Sequence, residues 1–367
     1  MNKKISNLAV FILAATVLSG CPSTSNMKEV QVDVMTPAEI TLPSNIENLL
    51  IVDRTVYTGN PFDSNEALLT PARPGEAREA TETLIFFLQR YLGGSPRFQT
   101  VVANETLTGN SITKALPRPI SWETVRNLCK QYGANALVAI EVYDSTFNVS
   151  NNPRATRAEQ SILNNPQDTT YQRYSPYDYT IAAVGNIIFG FRVYDPATET
   201  IVDEHVFRHR ETWEGTGSDP ASAMSGLPPP KQVIGDLIHL AGMEYAKRIA
   251  PIPMPVERKY FGGSGTDSVL AKGTKLAEAE QWQQAANTWE AGISQASKSE
   301  AGQLAHNVAV AYEKLGKSEQ AQVWATKAAE EYGNSQAKTL LSGLEEKRTL
   351  ETKAGGQIGN IININKE

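Results

Sequence analysis

The sequence predicts an α+β domain, built as a mixed α/β sandwich, followed by an all-helical region. Strand-like and helix-like segments alternate over residues 38–260, which is the pattern of one domain containing both element types. After Asp267 the composition changes to Ala, Glu, Gln and Lys, and Ala285 and Ala321, which have similar surroundings, lie 36 residues apart. With 41% hydrophobic and 20% charged residues, the 367-residue chain has the composition of a folded protein of about two domains.

The N-terminal segment predicts export across a membrane. Residues 1–20 open with a basic stretch and continue with an apolar run, Leu8–Leu18, of about a dozen residues. Such a run is shorter than the roughly 20 residues that a membrane-spanning helix needs. We therefore expect a signal peptide at 1–20 and a polar, lipidated tether at 21–37.

The quartet Leu18-Ser19-Gly20-Cys21 resembles the lipobox of bacterial lipoproteins. The resemblance implies that Cys21 is diacylglycerated, becomes the mature N-terminus and binds membrane lipid through acyl chains such as palmitate. Several acyl chains anchor a protein stably, whereas a single chain does so only marginally. Pro22 rather than Asp follows the cysteine, so the inner-membrane retention pattern of enterobacteria is absent and we expect the outer membrane, in either leaflet. A plain signal peptide cleaved near Ala15 or Gly20 is the alternative.

Turn and cap residues delimit the elements in the first half of the α/β domain. Two β-rich runs are separated by Pro43-Ser44-Asn45, a Pro-Gly pair and a Gly-Gly pair enclose an amphipathic stretch, and Ser121 and Gly133 bracket a second one. The predicted elements are strands at Glu39–Leu42, Asn48–Val52 and Arg97–Ala103, helices at Glu76–Leu92 and Ser121–Tyr132, and a loop at Leu107–Ile120.

The second half of this domain continues with longer strands. Ala136–Phe147 is rich in apolar and β-branched residues, and Asp195–Glu199 has the composition of a hairpin turn. Three alternating prolines from Pro251 onward end the last helix. The predicted elements are strands at Ala136–Phe147, Thr180–Tyr194 and Ile201–Trp213, a polar excursion at Asn148–Tyr179, a loop at Gly215–Pro230 and a helix at Lys231–Ile249.

Residues 268–349 resemble tetratricopeptide repeats. Asn307–Ala321 matches a first helix, a turn and the start of a second helix. An earlier copy aligns on Gly273, Leu276, Trp282, Ala285 and Trp289. We expect helices at 268–279, 283–297, 300–315, 319–332 and 335–349, after a linker at 261–267 and before a tail at 350–367. The tail has a β-like composition, as a frayed end or as an added edge strand.

The helical repeat has two interpretations. In the first, the array packs only against its own chain. In the second, it offers a concave groove to a peptide or protein partner. The candidate partner-binding residues in the second interpretation are Trp282, Trp289, Asn307, Tyr312 and Trp324.

The sequence carries no recognised catalytic motif, and we expect neither an enzyme of a known class nor a cofactor. It lacks GxSxG, HExxH, the Walker loop and the dinucleotide-binding glycines. His205 and His209 lie on one face of a predicted strand about 13 Å apart, too far to share a metal ion. Cys129 has no basic cluster implied nearby and is interpreted as a small buried side chain. A formal charge of −6, from 34 basic and 40 acidic residues, argues against a nucleic-acid-binding surface.

Two further groups of residues are candidates for a site in the α/β domain. Asp53 and Arg54, after one strand, and Glu141 and Asp144, within another, are placed to line a sheet edge. The tyrosines of the polar excursion are of the kind that stacks on sugars or proteins, although they also serve to anchor a long loop. These tyrosines are Tyr171, Tyr174, Tyr177 and Tyr179.

The combination of lipobox, α/β domain and repeat resembles an uncharacterised family of Bacteroidetes lipoproteins. That resemblance rests on Leu18–Cys21, Phe191–Asp195, Ala246–Pro251 and Tyr312–Ala321. Through Tyr132–Ala136 and the hairpin at Asp195, the α/β domain also resembles small domains of envelope lipoproteins of the TolB N-terminal and penicillin-binding-protein-activator types. Those domains act by binding, and no catalytic residue carries over from either resemblance.

We therefore expect a membrane-anchored lipoprotein that acts as a protein-binding adaptor or scaffold in an envelope assembly. Its partners would be membrane lipid, through Cys21, and envelope proteins, through the helical repeat, without nucleic acid or metal. The alternative is a glycan-binding or unrecognised enzymatic module that uses the α/β domain and its tyrosine-rich loop. A purely structural subunit is a third interpretation.

Overall fold

A computed structural model describes residues 27–57, 74–110, 113–150, 179–263, 265 and 267–362. These residues form two compact units. The α/β unit consists of the described residues between Asp33 and Pro255 and from Glu346 to Ile362, and the helical unit consists of Met27–Val32 and the described residues between Val256 and Glu345. The predicted fold class is confirmed, because a mixed sheet with helices precedes an all-helical region.

The described elements are numbered in chain order. The strands are β1 (Met27–Thr36), β2 (Asn48–Tyr57), β3 (Gln99–Asn110), β4 (Ala136–Ser150), β5 (Tyr179–Asp195), β6 (Thr200–Gly217) and β7 (Ile252–Phe261). The helices are α1 (Pro74–Gly93), α2 (Trp122–Tyr132), α3 (Pro220–Ser225), α4 (Pro230–Ile249), α5 (Val269–Glu278), α6 (Trp282–Gly292), α7 (Lys298–Lys314), α8 (Ser318–Thr326) and α9 (Ser335–Ile362). A 3-10 turn, Ile293–Gln295, follows α6, and a π-helical turn, Lys327–Glu331, follows α8.

Five strands form one mixed sheet, in the order β3-β2-β4-β5-β6. β2 is parallel to β3 and to β4, so that Leu50 lies opposite Val101 on one side and opposite Leu137 on the other. β4, β5 and β6 are antiparallel neighbours, and the turn predicted at Asp195–Glu199 joins the last two. β1 and β7 form a separate two-stranded sheet.

The alternation of side chains along β2 explains the three layers of the α/β unit. Leu49 and Ile51 belong to the hydrophobic cluster that includes α1 and α4, whereas Leu50 and Val52 belong to the cluster that includes α2. Both faces of β2, an inner strand of the sheet, are therefore buried, as is usual where strands are parallel. Cys129 packs in the α2 layer, and burial raises the pKa of its thiol to about 11. Its interpretation as a small buried side chain agrees with this environment.

The cap residues in the sequence predicted the bounds of α2 correctly. The Ser121 hydroxyl accepts a hydrogen bond from the backbone N–H of Thr124, as expected of an N-cap. Gly133 ends the helix at a φ of 68°, and its N–H donates to the carbonyl of Cys129. A left-handed residue at this place favours glycine, which is why the sequence shows the end of the helix so plainly.

β1 occupies much of the segment that was predicted as a tether. The expected tether, 21–37, is too long at its C-terminal side because Met27–Thr36 form the strand. Val30, Val32 and Val34 are buried and alternate with polar residues, which is a strand pattern. The predicted strand at Glu39–Leu42 is wrong, because this segment has no strand partner and donates backbone hydrogen bonds to the last turn of α4.

The strand β7 was not predicted, because the prolines that end α4 also interrupt its sequence. Pro253 and Pro255 have no N–H to donate, but among the described strands β7 pairs with β1 alone and so retains an unpaired side. The loop predicted at Gly215–Pro230 contains the short helix α3, whose N-cap Asp219 accepts two backbone hydrogen bonds. β3 continues to Asn110, into the loop predicted from Leu107.

The five helices predicted after residue 267 are present with shifted ends. The largest difference concerns the tail predicted at 350–367, because α9 continues through it to Ile362. Ala354 is buried there, while Gly355 and Gly356 do not end the helix although each costs about 1 kcal/mol relative to Ala. The β-like or frayed interpretation of residues 350–362 is therefore wrong.

Candidate functional site

Within the helical unit, the end of β7 packs directly against α7. The side chain of Asn307 accepts a hydrogen bond from the Phe261 N–H and donates one to the Phe261 carbonyl, each at 2.7 Å. The Arg258 guanidinium binds the buried carboxylate of Glu313 through two hydrogen bonds of 2.9 and 3.1 Å. These contacts satisfy polar groups on both elements and attach the strand firmly to the helix.

Four of the five predicted partner-binding residues lie in the interior. Trp282, Trp289, Asn307 and Tyr312 are buried, and the ring of Tyr260 from β7 lies 5.7 Å from that of Trp282 and 6.0 Å from that of Trp289. The three aromatic side chains fill the core, and Asn307 is hydrogen-bonded to β7, so the assignment of these four residues to partner binding needs correction. They match the interpretation in which the array packs against its own chain.

Trp324 differs from the other four because it is half-buried. The ammonium group of Lys327 lies 4.7 Å above the centre of its ring, which is a cation–π geometry. This residue therefore borders the surface of the helical unit, but one of its faces is already covered by the chain itself.

His306 of α7 lies beside the end of β7, and one of its ring nitrogens has no hydrogen-bond partner among the described residues. Its Nε2 bonds to the Lys259 carbonyl at 2.8 Å, and the centre of its ring lies 5.3 Å from that of Phe261, with the two rings nearly perpendicular. Among the described residues, Nδ1 is a buried side-chain nitrogen without a hydrogen-bond partner. Burial lowers the pKa of His306, and the bond to the carbonyl offsets this only in part.

We expect this histidine to make the helical unit less stable in acid. Because its folded-state pKa lies below the unfolded value of about 6.5, the unfolded state takes up the proton first. The stabilisation is complete above that value and is lost as the pH falls through the folded-state pKa. Denaturant unfolding at about pH 7.5 and about pH 5 should show a smaller loss in His306→Gln than in the unsubstituted chain. An equal loss in both proteins would contradict this assignment.

An open polar groove lies where α7 and α9 begin. Its volume is about 580 Å³. It is lined by Phe261, Lys298, Ser299, Gln303, Tyr332, Gly333, Asn334, Ser335 and Gln336. The side chain of Asn334 caps α9 by accepting from the N–H of Gln336 at 2.9 Å, and Ser297 caps α7 by accepting from the N–H of Glu300 at 3.3 Å. The two caps fix both helix starts beside the groove.

The groove favours polar ligands that carry negative charge. Lys298 is the one charged residue of its lining, which contains no carboxylate. The N-termini of α7 and α9 add positive electrostatic potential, which has the same sign as the charge of Lys298. Hydroxyl and amide groups supply both donors and acceptors along the rest of the wall. Sequence analysis missed this site: Ser297 and Asn334 are recognisable as cap residues, but their proximity depends on tertiary packing.

A buried charged cluster lies in the α/β unit around Glu141 of β4. The Glu141 side chain is 0% exposed. One carboxylate oxygen accepts from Arg54 and from the Tyr194 hydroxyl, both at 2.7 Å, and the other accepts from Arg192 at 2.7 Å. Burial, together with the hydrogen bond to Glu141, raises the pKa of Tyr194 to about 12, so that its hydroxyl remains a donor.

The charges of this cluster are internally compensated. Arg192 also donates to Glu204 at 2.7 Å and to the Pro117 carbonyl at 2.6 Å. Lys114 pairs with Asp144 at 2.6 Å. The predicted sheet edge is wrong, because Arg54 and Glu141 meet in the interior of the sheet, on the neighbouring strands β2 and β4. The paired charges of the cluster stabilise the unit.

The remaining sequence-predicted candidates divide into those within and those outside the described part. Cys21 and the tyrosines at 171, 174 and 177 lie outside the described residues, whereas Tyr179 begins β5. His205 and His209 both lie on β6. In the described ranges, no group of three or more His, Cys, Asp or Glu side chains is arranged to hold a metal ion. None of the helices in these ranges is both long and apolar enough to cross a bilayer.

Two family models match the sequence, one for each part of the chain. Residues 46–261 match a domain of unknown function, DUF8603, and residues 271–351 match a second one, DUF6340. No curated protein matches the chain.

Solved structures of bacterial proteins show distant similarity. One is a putative neuraminyllactose-binding hemagglutinin homolog from Helicobacter pylori, with 8% identity over 59% of this chain and 89% of that chain and a TM-score of 0.29. Another is a PelC dodecamer from Paraburkholderia phytofirmans, with 11% identity over 61% of this chain and 100% of that chain and a TM-score of 0.24. A third is TolB from Acinetobacter baumannii, with 10% identity over 60% of this chain and 30% of that chain and a TM-score of 0.22.

Proposed function

The chain belongs to the DUF8603 family of domains of unknown function, and we propose that it is a membrane-anchored bacterial lipoprotein that acts as a protein-binding adaptor in an envelope assembly. The observation that carries the adaptor role is the polar groove of the helical unit, whose lining contains one positively charged side chain, Lys298, and several amide side chains. The groove takes the place of the buried aromatic residues as the binding surface. The motifs that resemble Bacteroidetes lipoproteins support this setting.

The anchor in this proposal is the acylated Cys21. The quartet Leu18-Ser19-Gly20-Cys21 supports lipidation, and Pro22 supports the outer membrane as the location. Labelling of cells with radioactive palmitate should mark the chain and should fail to mark Cys21→Ser. Label that persists in this variant would remove the anchor from the proposal.

The groove suits a stretch of polypeptide with acidic side chains. Backbone N–H and C=O groups alternate along an extended peptide, and the Gln303 and Gln336 amides offer matching acceptors and donors. Asn334 adds its amide N–H groups as donors, since its oxygen caps α9. Lys298 is exposed and supplies the charge complement of a carboxylate. The volume of about 580 Å³ is in the range of a site that holds a few residues of a partner.

Site-specific photo-crosslinking in cells that produce the full chain tests this role. A photoreactive amino acid at Ser299 or Gln336 should capture one and the same envelope protein. Lys298→Glu should abolish capture, whereas Lys272→Glu, on an exposed lysine of α5, should leave it unchanged. Equal capture with both charge variants, or different proteins at the two positions, would overturn the groove as the docking site.

The glycan-binding or enzymatic alternative in the α/β unit stays a prediction. Its tyrosine-rich loop lies outside the described residues apart from Tyr179. The compensated cluster around Glu141 favours stability over chemistry, so the described geometry gives the alternative no separate support.

A further inference from the structure

The mixed sheet of the α/β unit ends in a long strand whose outer side has no partner among the described residues. This strand, β6, contains 18 residues, and β5 is its one neighbour in the described part of the chain. Apart from its bonds to β5, no described residue exchanges a hydrogen bond with the backbone between Ile201 and Trp213. The outer N–H and C=O groups of β6 therefore form a template on which another strand can pair.

The usual means of protecting such an edge are missing from β6. Proteins block edge strands with proline, with lysine or with a β-bulge. β6 contains neither proline nor lysine, and its register with β5 runs without a shift from Asp203 to Gly217. At the other edge of the sheet, by contrast, the Tyr132 hydroxyl accepts from the Asn104 N–H of β3 at 2.8 Å. Among the described strands of this sheet, β6 therefore has the edge best prepared to accept another strand.

The charges of β6 are complementary to those of a second β6 strand. When two copies of an edge strand pair antiparallel around a twofold axis, residues at equal distances from the axis lie opposite each other and on the same face. With the axis at Val206, Glu204 of one copy lies opposite Arg208 of the other, and this ion pair occurs twice. Opposite charges in this position stabilise a strand pair.

Neighbouring registers bring like charges together instead. An axis at Phe207 sets Asp203 opposite Glu211. An axis at Arg208 sets this arginine opposite its own copy. Like charges directly opposite each other destabilise a strand pair, whereas the axis at Val206 sets none of them opposite. The sequence of charges thus favours one register over its neighbours.

The two side chains of the ion pair are available for it. Arg208 is exposed and has no salt-bridge partner within the described ranges. The Glu204 side chain is 51% exposed, and its Oε2 accepts from Arg192 at 2.7 Å, so that Oε1 is left for a cation of another chain. Val206, which lies between them on the same face, is half-buried and would be covered by its own copy.

From this edge and its charges we propose that β6 is an interface between two copies of this chain, which pair antiparallel with the twofold axis at Val206. The two five-stranded sheets then join into one. The occupant of the edge is a second copy because the charge pattern of β6 is complementary to itself. The interface belongs to the α/β unit alone and depends neither on the polar groove nor on the proposed anchor.

Disulfide crosslinking of the full chain in intact cells tests the register. A residue on the axis faces its own copy with Cα atoms about 4.5–5.5 Å apart, which suits a disulfide. Under mild oxidation, Val206→Cys should give several-fold more linked dimer than Thr212→Cys. Thr212 lies on the same face and is more exposed, but in this register its two copies lie about 40 Å apart. The unsubstituted chain, in which Cys129 is buried, gives the background.

Position 212 also distinguishes the proposal from a second register. An axis at Thr212 sets Arg210 opposite Glu214 and likewise avoids like charges, but it pairs a shorter stretch because β6 ends at Gly217. A linked dimer with Thr212→Cys and none with Val206→Cys would overturn the axis at Val206. Equal linkage at the two positions would overturn the interface.

Charge reversal in the Val206→Cys chain tests the ion pair itself. Arg208→Glu should lower the yield of linked dimer several-fold, because it sets two carboxylates opposite each other. Arg210→Glu is the matched control, since this exposed arginine lies opposite Val202 in the same register and its reversal should change the yield little. A chain with Glu204→Lys should also link poorly to itself. Copies with Arg208→Glu and copies with Glu204→Lys, made together, should link to each other, because every opposite pair is again complementary.

Sedimentation of the full chain in detergent gives a measurement without introduced cysteines. We expect a dimer for the unsubstituted chain and mainly a monomer for Arg208→Glu at the same concentration. Circular dichroism should show that this exposed substitution leaves the fold intact. A monomeric unsubstituted chain, a dimer that Arg208→Glu leaves undiminished, or mixed copies that fail to link would overturn the proposal.

Discussion

Replacing Glu141 with alanine is expected to lower the free energy of unfolding of the α/β unit by about 3–5 kcal/mol. The carboxylate accepts three hydrogen bonds, from Arg54, Arg192 and Tyr194, and the two guanidinium-bearing side chains are only 12% and 7% exposed. Removing it leaves two cations without their shared partner in surroundings that hydrate them poorly. The loss therefore reflects uncompensated burial more than the net strength of the ion pairs.

Two matched variants separate this effect from the simple loss of a charge. Glu141→Gln keeps an acceptor oxygen and the side-chain volume, so we expect a smaller loss than with alanine. Glu82→Ala removes one partner of the Arg78–Glu82 pair on α1, whose side chains are 77% and 62% exposed, and should leave the free energy of unfolding nearly unchanged because solvent screens this pair. Urea unfolding followed by circular dichroism measures all three. A loss at Glu141 as small as that at Glu82 would show that the cluster is hydrated and contributes little.

The parts of the fold that depend on residues close together in the sequence were predictable. Ser121 and Gly133 fixed the two ends of α2, and the turn at Asp195–Glu199 fixed the hairpin of β5 and β6. Such signals act over a few residues, through caps and turn conformations, and do not depend on the rest of the chain. The fold class followed from them because it depends on the order of elements.

The candidate sites depend on contacts between distant residues, which the sequence does not reveal. Arg54 meets Glu141 across 87 positions, and Lys298 lies near Asn334 because α7 and α9 begin side by side. The aromatic residues of the helical repeat show the same limit of sequence-based prediction. From its repeat spacing alone, Trp289 is equally compatible with a core and with a binding surface. The structure decides for the core, because Tyr260 of β7 packs beside it, and the prolines of β7 kept that strand from being predicted.

The second large effect on the free energy of unfolding is expected from replacing Gly273 in α5 with alanine. A Cβ atom there would lie 2.2 Å from Nε1 of Trp289, whose ring is fully buried and whose N–H donates to the Leu270 carbonyl at 3.2 Å. The indole therefore has no free space into which to move. Overpacking of this kind costs about 1–3 kcal/mol, and we expect Gly273→Ala to lower the free energy of unfolding of the helical unit by about 2 kcal/mol.

The same substitution at Gly235 is the control, because a Cβ atom there meets nothing within 4 Å. Gly235 lies inside α4, so alanine should raise the stability of the α/β unit by about 0.5–1 kcal/mol through the lower entropy of the unfolded chain. Two identical changes should thus have opposite signs. Thermal unfolding followed by tryptophan fluorescence reports on both units, through Trp282 and Trp289 in the helical unit and through Trp122 and Trp213 in the α/β unit. If Gly273→Ala were as stabilising as Gly235→Ala, the indole would have room to move, and the close approach of α5 to α6 would not depend on glycine.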